Sequence, residues 1–255
     1  MELEGRAAIV TGGGTGVGRA TALALARRGC AVLVDYSRSR EAAERTAQEA
    51  AALGVKSLAH RGDVSDDAGC RAMVEAAVEA FGRLDVLINN AGITKFIPHE
   101  RLEEVGLEDW EQILAVNLRG PFQCARAARG ALSASGGGEI VNVSSVAGLI
   151  GVGSSIPYCA SKAALNSLTV TLARVLAVDD IRVNAVAPGF IDGTWLREGL
   201  GGAFDALKKA MEARAPLGRV CTPEDVSDAI LSLVTGSDLV TGSVLPVEGG
   251  VLLSG

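Results

Sequence analysis

Three polar side chains in the middle of the sequence could together move a proton to or from a carbonyl oxygen. Tyr158 and Lys162 are four residues apart, and Ser145 lies thirteen residues before the tyrosine. Four residues is slightly more than one helical turn, so both side chains would project from one face of a helix. The phenol could transfer a proton, the ammonium group could favour its phenolate, and the hydroxyl could hold the carbonyl. By itself the pair is weakly specific, because a half-buried tyrosine beside a solvated lysine has the same spacing.

The elements that would position these residues alternate along the whole chain. Short apolar runs, most of them continuous as in parallel strands covered on both faces, are separated by alanine-rich helical patterns. This repeated order predicts an α/β fold with a single doubly wound parallel sheet of about seven strands. The predicted strands are residues 7–10, 31–34, 57–59, 86–88, 140–143, 183–186 and 244–247, and the predicted helices are residues 18–28, 40–53, 68–81, 107–133, 158–178 and 223–235.

Length and composition exclude several classes of protein. The 255 residues suit one α/β domain, and 48% apolar with 21% charged residues suits a globular core. A formal charge of −6 without a lysine- or arginine-rich block argues against a nucleic-acid surface. No apolar run approaches a membrane span and the first residues do not resemble a signal peptide, so we expect a cytoplasmic protein without a membrane partner.

The cysteines and histidines do not indicate a metal site. The five cysteines are odd in number, scattered and without a Cys-x-x-Cys pair, and only two histidines are present. We therefore expect reduced thiols and no metal. The cysteines are Cys30, Cys70, Cys124, Cys159 and Cys221.

A glycine-rich segment follows the first predicted strand. Gly12, Gly16 and Gly18 have the spacing Gly-x-x-x-Gly-x-Gly, and no three glycines fall in the Gly-x-Gly-x-x-Gly register. Glycines let the backbone approach a pyrophosphate, whose charge then meets the free N–H groups of the following helix. A tight strand-to-helix connection would have the same composition, but the position in the first β–α unit favours a nucleotide site.

Together these motifs occur in the order of the short-chain dehydrogenase/reductase family. The chain resembles this family over essentially its whole length, and most of all its 3-oxoacyl-carrier-protein reductase and sugar-dehydrogenase branch. The resemblance implies a Rossmann fold forming one dinucleotide-binding catalytic domain over residues 1–255, and a homotetramer. In it, helices 107–133 and 158–178 would form one interface and residues 247–255 another. The motifs are residues 11–18, 89–92, Asn117, Ser145, Tyr158 with Lys162, Pro188 with Gly189, and residues 247–250.

Four residues would carry the catalysis that the resemblance implies. Tyr158 would be the general acid or base, Ser145 would bind the substrate oxygen, and Lys162 would also bind the nicotinamide ribose. Asn117 would hold a water molecule that links the lysine to solvent. Ser144 is a rival for Ser145, although the thirteen-residue gap favours Ser145.

The cofactor contacts follow from the same resemblance. The glycine loop would bind the phosphates, Asp63 and Val64 the adenine, and Asn90 the ribose side, while an N-cap role for Asp63 is the alternative. Thr194 comes one residue later than the threonine of relatives, which makes Ile191 N–H the safer partner for the carboxamide. The implied cofactor-binding residues are Gly12, Thr15, Gly16, Val17, Gly18, Tyr36, Ser37, Arg38, Asp63, Val64, Asn90, Ala91, Gly92, Tyr158, Lys162, Pro188, Gly189, Ile191 and Thr194.

The end of the second strand addresses the choice between NADP(H) and NAD(H). A carboxylate there accepts from ribose hydroxyls, whereas a cation pairs with a 2′-phosphate. The acid that selects NAD in relatives would fall on Tyr36, so Asp35 is expected to point away and Arg38 to pair with the phosphate. We therefore favour NADP(H), although Thr15 replaces a basic residue common in NADP-linked members. A one-residue shift in strand register would favour NAD(H) instead.

An irregular stretch at residues 189–216 follows the sixth predicted strand, where a helical substrate lid is expected. The predicted substrate contacts are Ser145, Tyr158, Thr94, Phe96, Val146, Ile156 and Trp195, of which the aromatic residues suggest a partly apolar pocket.

The resulting hypothesis is an oxidoreductase that transfers a hydride between NADP(H) and a ketone or secondary alcohol, similar to 3-oxoacyl-thioester reductases. An NAD-dependent sugar or polyol dehydrogenase is one alternative. A dinucleotide-binding sensor or scaffold without catalysis is another, which the intact Asn117, Ser145, Tyr158 and Lys162 set disfavours.

Overall fold

A seven-stranded parallel sheet with helices on both faces forms the protein, as a computed structural model describes it for residues 1–253. The strand order is β3-β2-β1-β4-β5-β6-β7, which confirms the predicted doubly wound fold. The strands are β1 (Ala7–Val10), β2 (Ala31–Tyr36), β3 (Ser57–Arg61), β4 (Val86–Asn89), β5 (Gly138–Val143), β6 (Ile181–Pro188) and β7 (Val244–Val247).

Ten α-helices connect the strands within the described residues. Their bounds are α1 (Gly16–Ala26), α2 (Arg40–Ala52), α3 (Asp67–Phe81), α4 (Leu107–Leu114), α5 (Gly120–Ala134), α6 (Ala147–Ile150), α7 (Ile156–Leu176), α8 (Thr194–Leu200), α9 (Phe204–Arg214) and α10 (Pro223–Thr235). Residues 1–253 contain no helix that is long and apolar enough to cross a membrane.

The core lies in two layers, one on each face of the sheet. One layer joins alternate residues of β1 and β2, such as Val10 and Val34, to α1, α2 and α10. The other joins their neighbours Ile9 and Leu33 to α3, α5 and α7. Because both faces are covered, β1 and β4 are fully buried, which explains their continuous apolar sequences.

The order in which successive strands are added to the sheet reverses at β1, since β2 and β3 lie on one side of it and β4 to β7 on the other. Ligands of such sheets bind in the crevice outside the carboxyl ends of the strands at this reversal. The loops after β1, β4, β5 and β6 therefore meet at one edge.

The helix predicted over residues 107–133 is wrong as one continuous element. The structure divides it into α4, a π-helical turn at Ala115–Arg119, and α5. Asn117 lies at the centre of that turn and is fully buried. Single π-helical turns inside helices are frequent at functional sites. The other main differences are that α6 was not predicted and that α7 begins two residues earlier than expected, at Ile156.

Candidate active site

The glycine loop after β1 is fixed by the residues that follow β4. The Asn90 amide donates to Thr11 O at 2.9 Å and to Gly12 O at 3.1 Å. In return the Thr11 hydroxyl oxygen accepts from the N–H groups of Asn90 and Ala91, both at 3.0 Å. Sequence reasoning placed Asn90 beside the ribose and missed this bracing role, which no local pattern signals. The contact ties the two strands at the sheet reversal.

Two glycines of the loop are needed for different reasons. A Cβ at Gly18 would lie 2.3 Å from Gly12 O and 2.5 Å from Asn90 Nδ2, so this position is closed to any side chain. Gly16 has a φ of +52° and no atom within 4 Å of an added Cβ. Gly16 therefore presents bare backbone to open space beside the first N–H groups of α1, where a phosphate group would be bound. The residues at this edge fit a dinucleotide.

The residues predicted to contact the adenine, Asp63 and Val64, follow β3 after Gly62. The Asp63 carboxylate accepts from Ser65 N at 2.9 Å and Ser65 Oγ at 2.7 Å, and these bonds lower its pKa. The N-cap of α3 is Asp66, not Asp63, so the capping alternative for Asp63 is wrong. Val64 is buried, and its carbonyl accepts from Gln123 Nε2 at 2.8 Å.

At the end of β2, Asp35 and Tyr36 point to opposite faces, as adjacent strand residues do. The Asp35 side chain is 2% exposed, and its carboxyl lies 3.8 Å from His60 Nδ1 on the neighbouring β3. Burial raises the pKa of Asp35, while His60 opposes that effect. Tyr36 is half-buried, and Ser37 and Arg38 are exposed at the sheet edge. The positive charge of Arg38 contributes to the lowered pKa of Asp63.

The predicted proton-transfer residues meet where β5, α6 and α7 converge. Ser155 caps α7 by accepting from Tyr158 N at 3.4 Å, as expected for a helix start. Lys162 is 4% exposed, and its ammonium donates to Val143 O at 2.7 Å and lies 5.7 Å from the Tyr158 ring centroid. The Ser145 hydroxyl bonds the phenol and accepts from Ala147 N at 3.1 Å.

The electrostatics of this group differ from the simple expectation that Lys162 lowers the pKa of Tyr158. Burial raises the pKa of Tyr158 to about 12, with the Ser145 hydrogen bond acting in the opposite direction. Burial also lowers the pKa of Lys162 to about 8. Desolvation therefore dominates both groups, because the ammonium bonds the Val143 carbonyl rather than the phenol.

Ser144 and Ser145 are adjacent but face different surroundings. The Ser144 hydroxyl donates to Asn166 Oδ1 at 2.6 Å and to Lys162 O at 3.3 Å inside the protein. This side chain is therefore occupied in joining β5 to α7, and Ser145 is the serine that faces Tyr158.

Asn117 anchors the loop that follows β4. Its Oδ1 accepts from Ile93 N at 2.8 Å, and its Nδ2 donates to Ile93 O at 2.9 Å and Ser161 Oγ at 3.1 Å. A Cβ at Gly92 would lie 3.5 Å from Asn117 Oδ1 and 3.7 Å from Lys162 Nζ, so both side chains approach the same glycine. The Asn117 side chain therefore bonds the backbone of the loop that contains Gly92.

Of the predicted substrate residues, Phe96 and Trp195 lie together beside Tyr158. The Trp195 ring centroid lies 6.2 Å from that of Tyr158 and 5.9 Å from that of Phe96. Thr94 Oγ1 lies 2.6 Å from Ser154 Oγ, two residues before α7 begins. Val146 N donates to Pro188 O at 2.9 Å, and Ile156 is the first residue of α7.

Residues after β6 complete the edge. Gly189 N donates to Val247 O at 2.9 Å, and Ile191 bridges Cys221 in a parallel register. Thr194 is the first residue of α8, with Gly193 at the N-cap. In the glycine loop at the other end of this edge, Thr15 is the N-cap of α1, and Val17 O accepts from the Thr21 hydroxyl at 2.8 Å.

Known proteins share this arrangement of loops over most of the chain. A family model described as enoyl-(acyl carrier protein) reductase matches residues 12–252. A ketoacyl reductase of the granaticin polyketide synthase of Streptomyces violaceoruber is 43% identical, with 98% of this chain and 97% of the relative covered. The 3-oxoacyl-[acyl-carrier-protein] reductase FabG of Staphylococcus aureus is 37% identical, with 97% and 98% covered. The solved structure of a short-chain dehydrogenase/reductase from Burkholderia xenovorans has a TM-score of 0.90 and 37% identity, covering 97% of this chain and 98% of that one.

The chain belongs to the short-chain dehydrogenase/reductase family. This confirms the resemblance that the order of the motifs indicated. As a member of this family, the protein is an NAD(P)-dependent oxidoreductase that acts on ketones and alcohols.

Proposed function

We propose that this protein reduces a ketone to a secondary alcohol with NADPH, with Tyr158 as the proton donor. The observation that carries the proposal is the meeting of the half-buried Ser145 and Tyr158 with the buried Lys162 at the carboxyl edge of the sheet. The names of relatives, a ketoacyl reductase and a 3-oxoacyl-carrier-protein reductase, support reduction of an oxoacyl-type ketone.

The side chains divide the work as follows. The bound dinucleotide supplies the hydride, and the protein orients the carbonyl and delivers a proton to its oxygen. Ser145 donates a hydrogen bond to the carbonyl oxygen as negative charge develops there, and Tyr158 transfers its proton to that oxygen. Lys162, held by Val143 O, stabilises the phenolate that remains. A phenol with a raised pKa is fully protonated at neutral pH, which suits the reductive direction.

Asn117 is proposed as a positioning residue for Lys162. Its two bonds to Ile93 hold the loop containing Gly92 against the lysine, and its Nδ2 also bonds Ser161 on α7, the helix that carries Lys162. A water molecule bound beside Asn117 would return a proton to Lys162.

NADP(H) is the proposed cofactor because an exposed cation follows β2 while the carboxylate of this strand end is buried. Ser37 and Arg38 are exposed there, whereas the Asp35 side chain is buried and lies beside His60. A guanidinium group can pair with a 2′-phosphate, and the buried carboxylate cannot accept from the ribose hydroxyls.

We further propose that the protein is a cytoplasmic homotetramer. Leu107, Phe122 and Val170 are exposed on α4, α5 and α7, the helices expected to form one interface. In the second expected interface, residues 247–255, the last two residues lie outside the described part of the chain. Light scattering at micromolar concentration measures the assembly, and a monomer would contradict it.

The decisive experiment is the Tyr158→Phe variant, which keeps the ring and removes the proton. Turnover of a ketone with NADPH should fall by about 10²- to 10⁴-fold, the usual contribution of a general acid. The dissociation constant for NADPH, measured by nicotinamide fluorescence, should change by less than about threefold, because the phenyl ring preserves the packing. Turnover within about tenfold of the wild-type value would show that another group donates the proton.

A further inference from the structure

Three aromatic rings meet in front of the proton donor, and they come from distant parts of the sequence. Phe96 lies in the loop after β4, Tyr158 on α7 and Trp195 on α8. The Trp195 ring is the middle member, 5.9 Å from Phe96 and 6.2 Å from Tyr158. Trp195 is nevertheless 47% exposed, so much of this large ring is uncovered beside the reacting phenol. A ring in this position offers stacking area to a substrate.

The backbone of α8 is built to hold the Phe96 ring in place. A Cβ at Gly199 would lie 2.0 Å from the Phe96 ring, so the ring rests on bare helix backbone. Gly199 has no positive φ, so its own backbone conformation does not require glycine. Glycine inside a helix is less favourable than alanine. The space for Phe96 is the reason that the structure supplies for this residue.

The remaining contacts of the aromatic group fix it rather than leave it mobile. Ile97 N donates to Ser154 O at 2.9 Å, and Thr94 bonds the Ser154 hydroxyl, which ties the Phe96 loop to the start of α7. At the base of the lid, the Arg197 guanidinium lies 4.0 Å from the Phe204 ring centroid. The rings therefore present a preformed surface, which lowers the entropy cost of binding.

Three cationic side chains of the Phe96 loop and the lid already have acidic partners. Lys95 lies 3.0 Å from Asp109, and Lys208 lies 2.6 Å from Asp192. Arg197 also approaches Asp192, at 3.7 Å. These three side chains are therefore not arranged to receive a carboxylate or phosphate next to the aromatic rings. The surface suits an uncharged apolar group.

We propose that Trp195 and Phe96 select ketones that carry an uncharged ring close to the reacting carbonyl, with the ring stacked on Trp195. This inference rests on the proposed ketone reductase function and names its substrate class. A planar ring gains the stacking contribution of an aromatic pair and has few rotors to immobilise, whereas a linear chain gains only area burial and loses more conformational freedom. Trp195 is thus a specificity-determining residue of the lid.

The test uses two uncharged methyl ketones of ten carbons, 4-phenyl-2-butanone and 2-decanone. Their carbonyl groups have the same neighbours, so a difference in kcat/KM reports on the ring or chain. Trp195→Ala should lower the ratio of kcat/KM for the ring ketone to that for the linear ketone by about 2- to 12-fold, which corresponds to 0.5–1.5 kcal/mol. Trp195→Phe should retain most of the wild-type ratio, because a stacking face remains.

A pair of glycine variants tests the contribution of Phe96 to the aromatic surface. Gly199→Ala should displace Phe96 and lower the same ratio, whereas Gly202→Ala, in the same lid with no atom within 4 Å of its added Cβ, should leave the ratio unchanged. NADPH binding is measured for every variant and should not change.

The outcomes separate the two proposals. If the wild-type protein binds the dinucleotides but reduces neither ketone with either of them, the reductase function fails and the inference fails with it. If it reduces 2-decanone, but Trp195→Ala leaves the ratio unchanged or the ring ketone is not accepted, the function stands and the ring selection is overturned.

Discussion

The nucleotide side and the substrate side of the catalytic edge are held together by different kinds of contact. On the nucleotide side, the glycine loop packs backbone against backbone, as at Gly18 and Gly12, and the Asn90 amide donates to Thr11 O and Gly12 O. On the substrate side, the Phe96 loop and α8 meet through aromatic rings, and Asp192 binds Lys208 across the lid. At Gly18 the first arrangement leaves no room for an added carbon, whereas the second can change its shape by changing side chains.

The difference assigns separate tasks to the two sides. The dinucleotide is the same molecule whatever the substrate, so one surface of closely packed backbone is sufficient to bind it. Substrate selection requires variation, which side chains on a loop and a lid supply without disturbing the sheet. The proposed catalytic residues Ser145, Tyr158 and Lys162 stand between the two sides, in the loop after β5 and on α7.

The largest effect should separate two neighbours at the boundary between the sides. Ser145→Ala should lower kcat by about 10²- to 10³-fold, because the developing charge on the substrate oxygen loses a donor. Ser144→Ala should leave kcat within about threefold and instead lower the free energy of unfolding by about 1 kcal/mol, since the bond to Asn166 is lost. Steady-state kinetics and urea unfolding measure the two quantities. A kinetic loss in Ser144→Ala as large as that in Ser145→Ala would contradict the assignment.

The next effect tests the close packing of the nucleotide side. Gly18→Ala should weaken NADPH binding by about 5- to 150-fold, equivalent to the roughly 1–3 kcal/mol that overpacking costs, because the added carbon meets Gly12 O. Gly130→Ala is the matched control, since it is also helical and nothing lies within 4 Å of its added Cβ. That variant should bind NADPH normally and unfold at the same or a higher temperature. Equal behaviour of the two variants would show that the loop can rearrange.

The same contrast explains what could be predicted from the sequence. The strands of a doubly wound parallel sheet and the glycine loop were predictable, because continuous apolar runs and glycine spacing report local backbone demands. The division of the helix at Asn117 was not, since the π-helical turn arises from tertiary bonds to Ile93 and Ser161. The Phe96–Gly199 contact was equally hidden, because an exposed helical glycine looks like an ordinary break in the pattern. Contacts between segments distant in sequence leave no periodic signal.

The cofactor choice gives a smaller effect at the rim of the nucleotide side. Arg38→Ala should raise the dissociation constant for NADPH by about 10- to 100-fold, the range for a hydrogen bond to a charged group, and that for NADH by less than about threefold. Arg40→Ala is the control, because Arg40 is also exposed but pairs with Glu44. Equal weakening of both dinucleotides in Arg38→Ala would mean that Arg38 does not select the phosphate.

The smallest effect is a pH dependence that arises where the two sides meet. Burial lowers the pKa of Lys162 to about 8 and raises that of Tyr158 to about 12, so reduction requires the charged lysine and the neutral phenol. Below about pH 7 both requirements are met and kcat for reduction should be flat.

As the pH rises through about 8, Lys162 loses its proton while Tyr158 keeps its own, so kcat should fall about twofold at that pH and up to about tenfold per further unit. Glu139→Gln is the control, because Glu139 is a buried group at the other end of β5 whose pKa is raised to about 7. Removing this carboxylate should leave the fall in kcat above pH 8 unchanged. Lys162→Arg keeps its charge to higher pH, so its remaining activity should not show the decline. A wild-type profile that stays flat to pH 10 at saturating cofactor would remove the charge of Lys162 from the proton-transfer step.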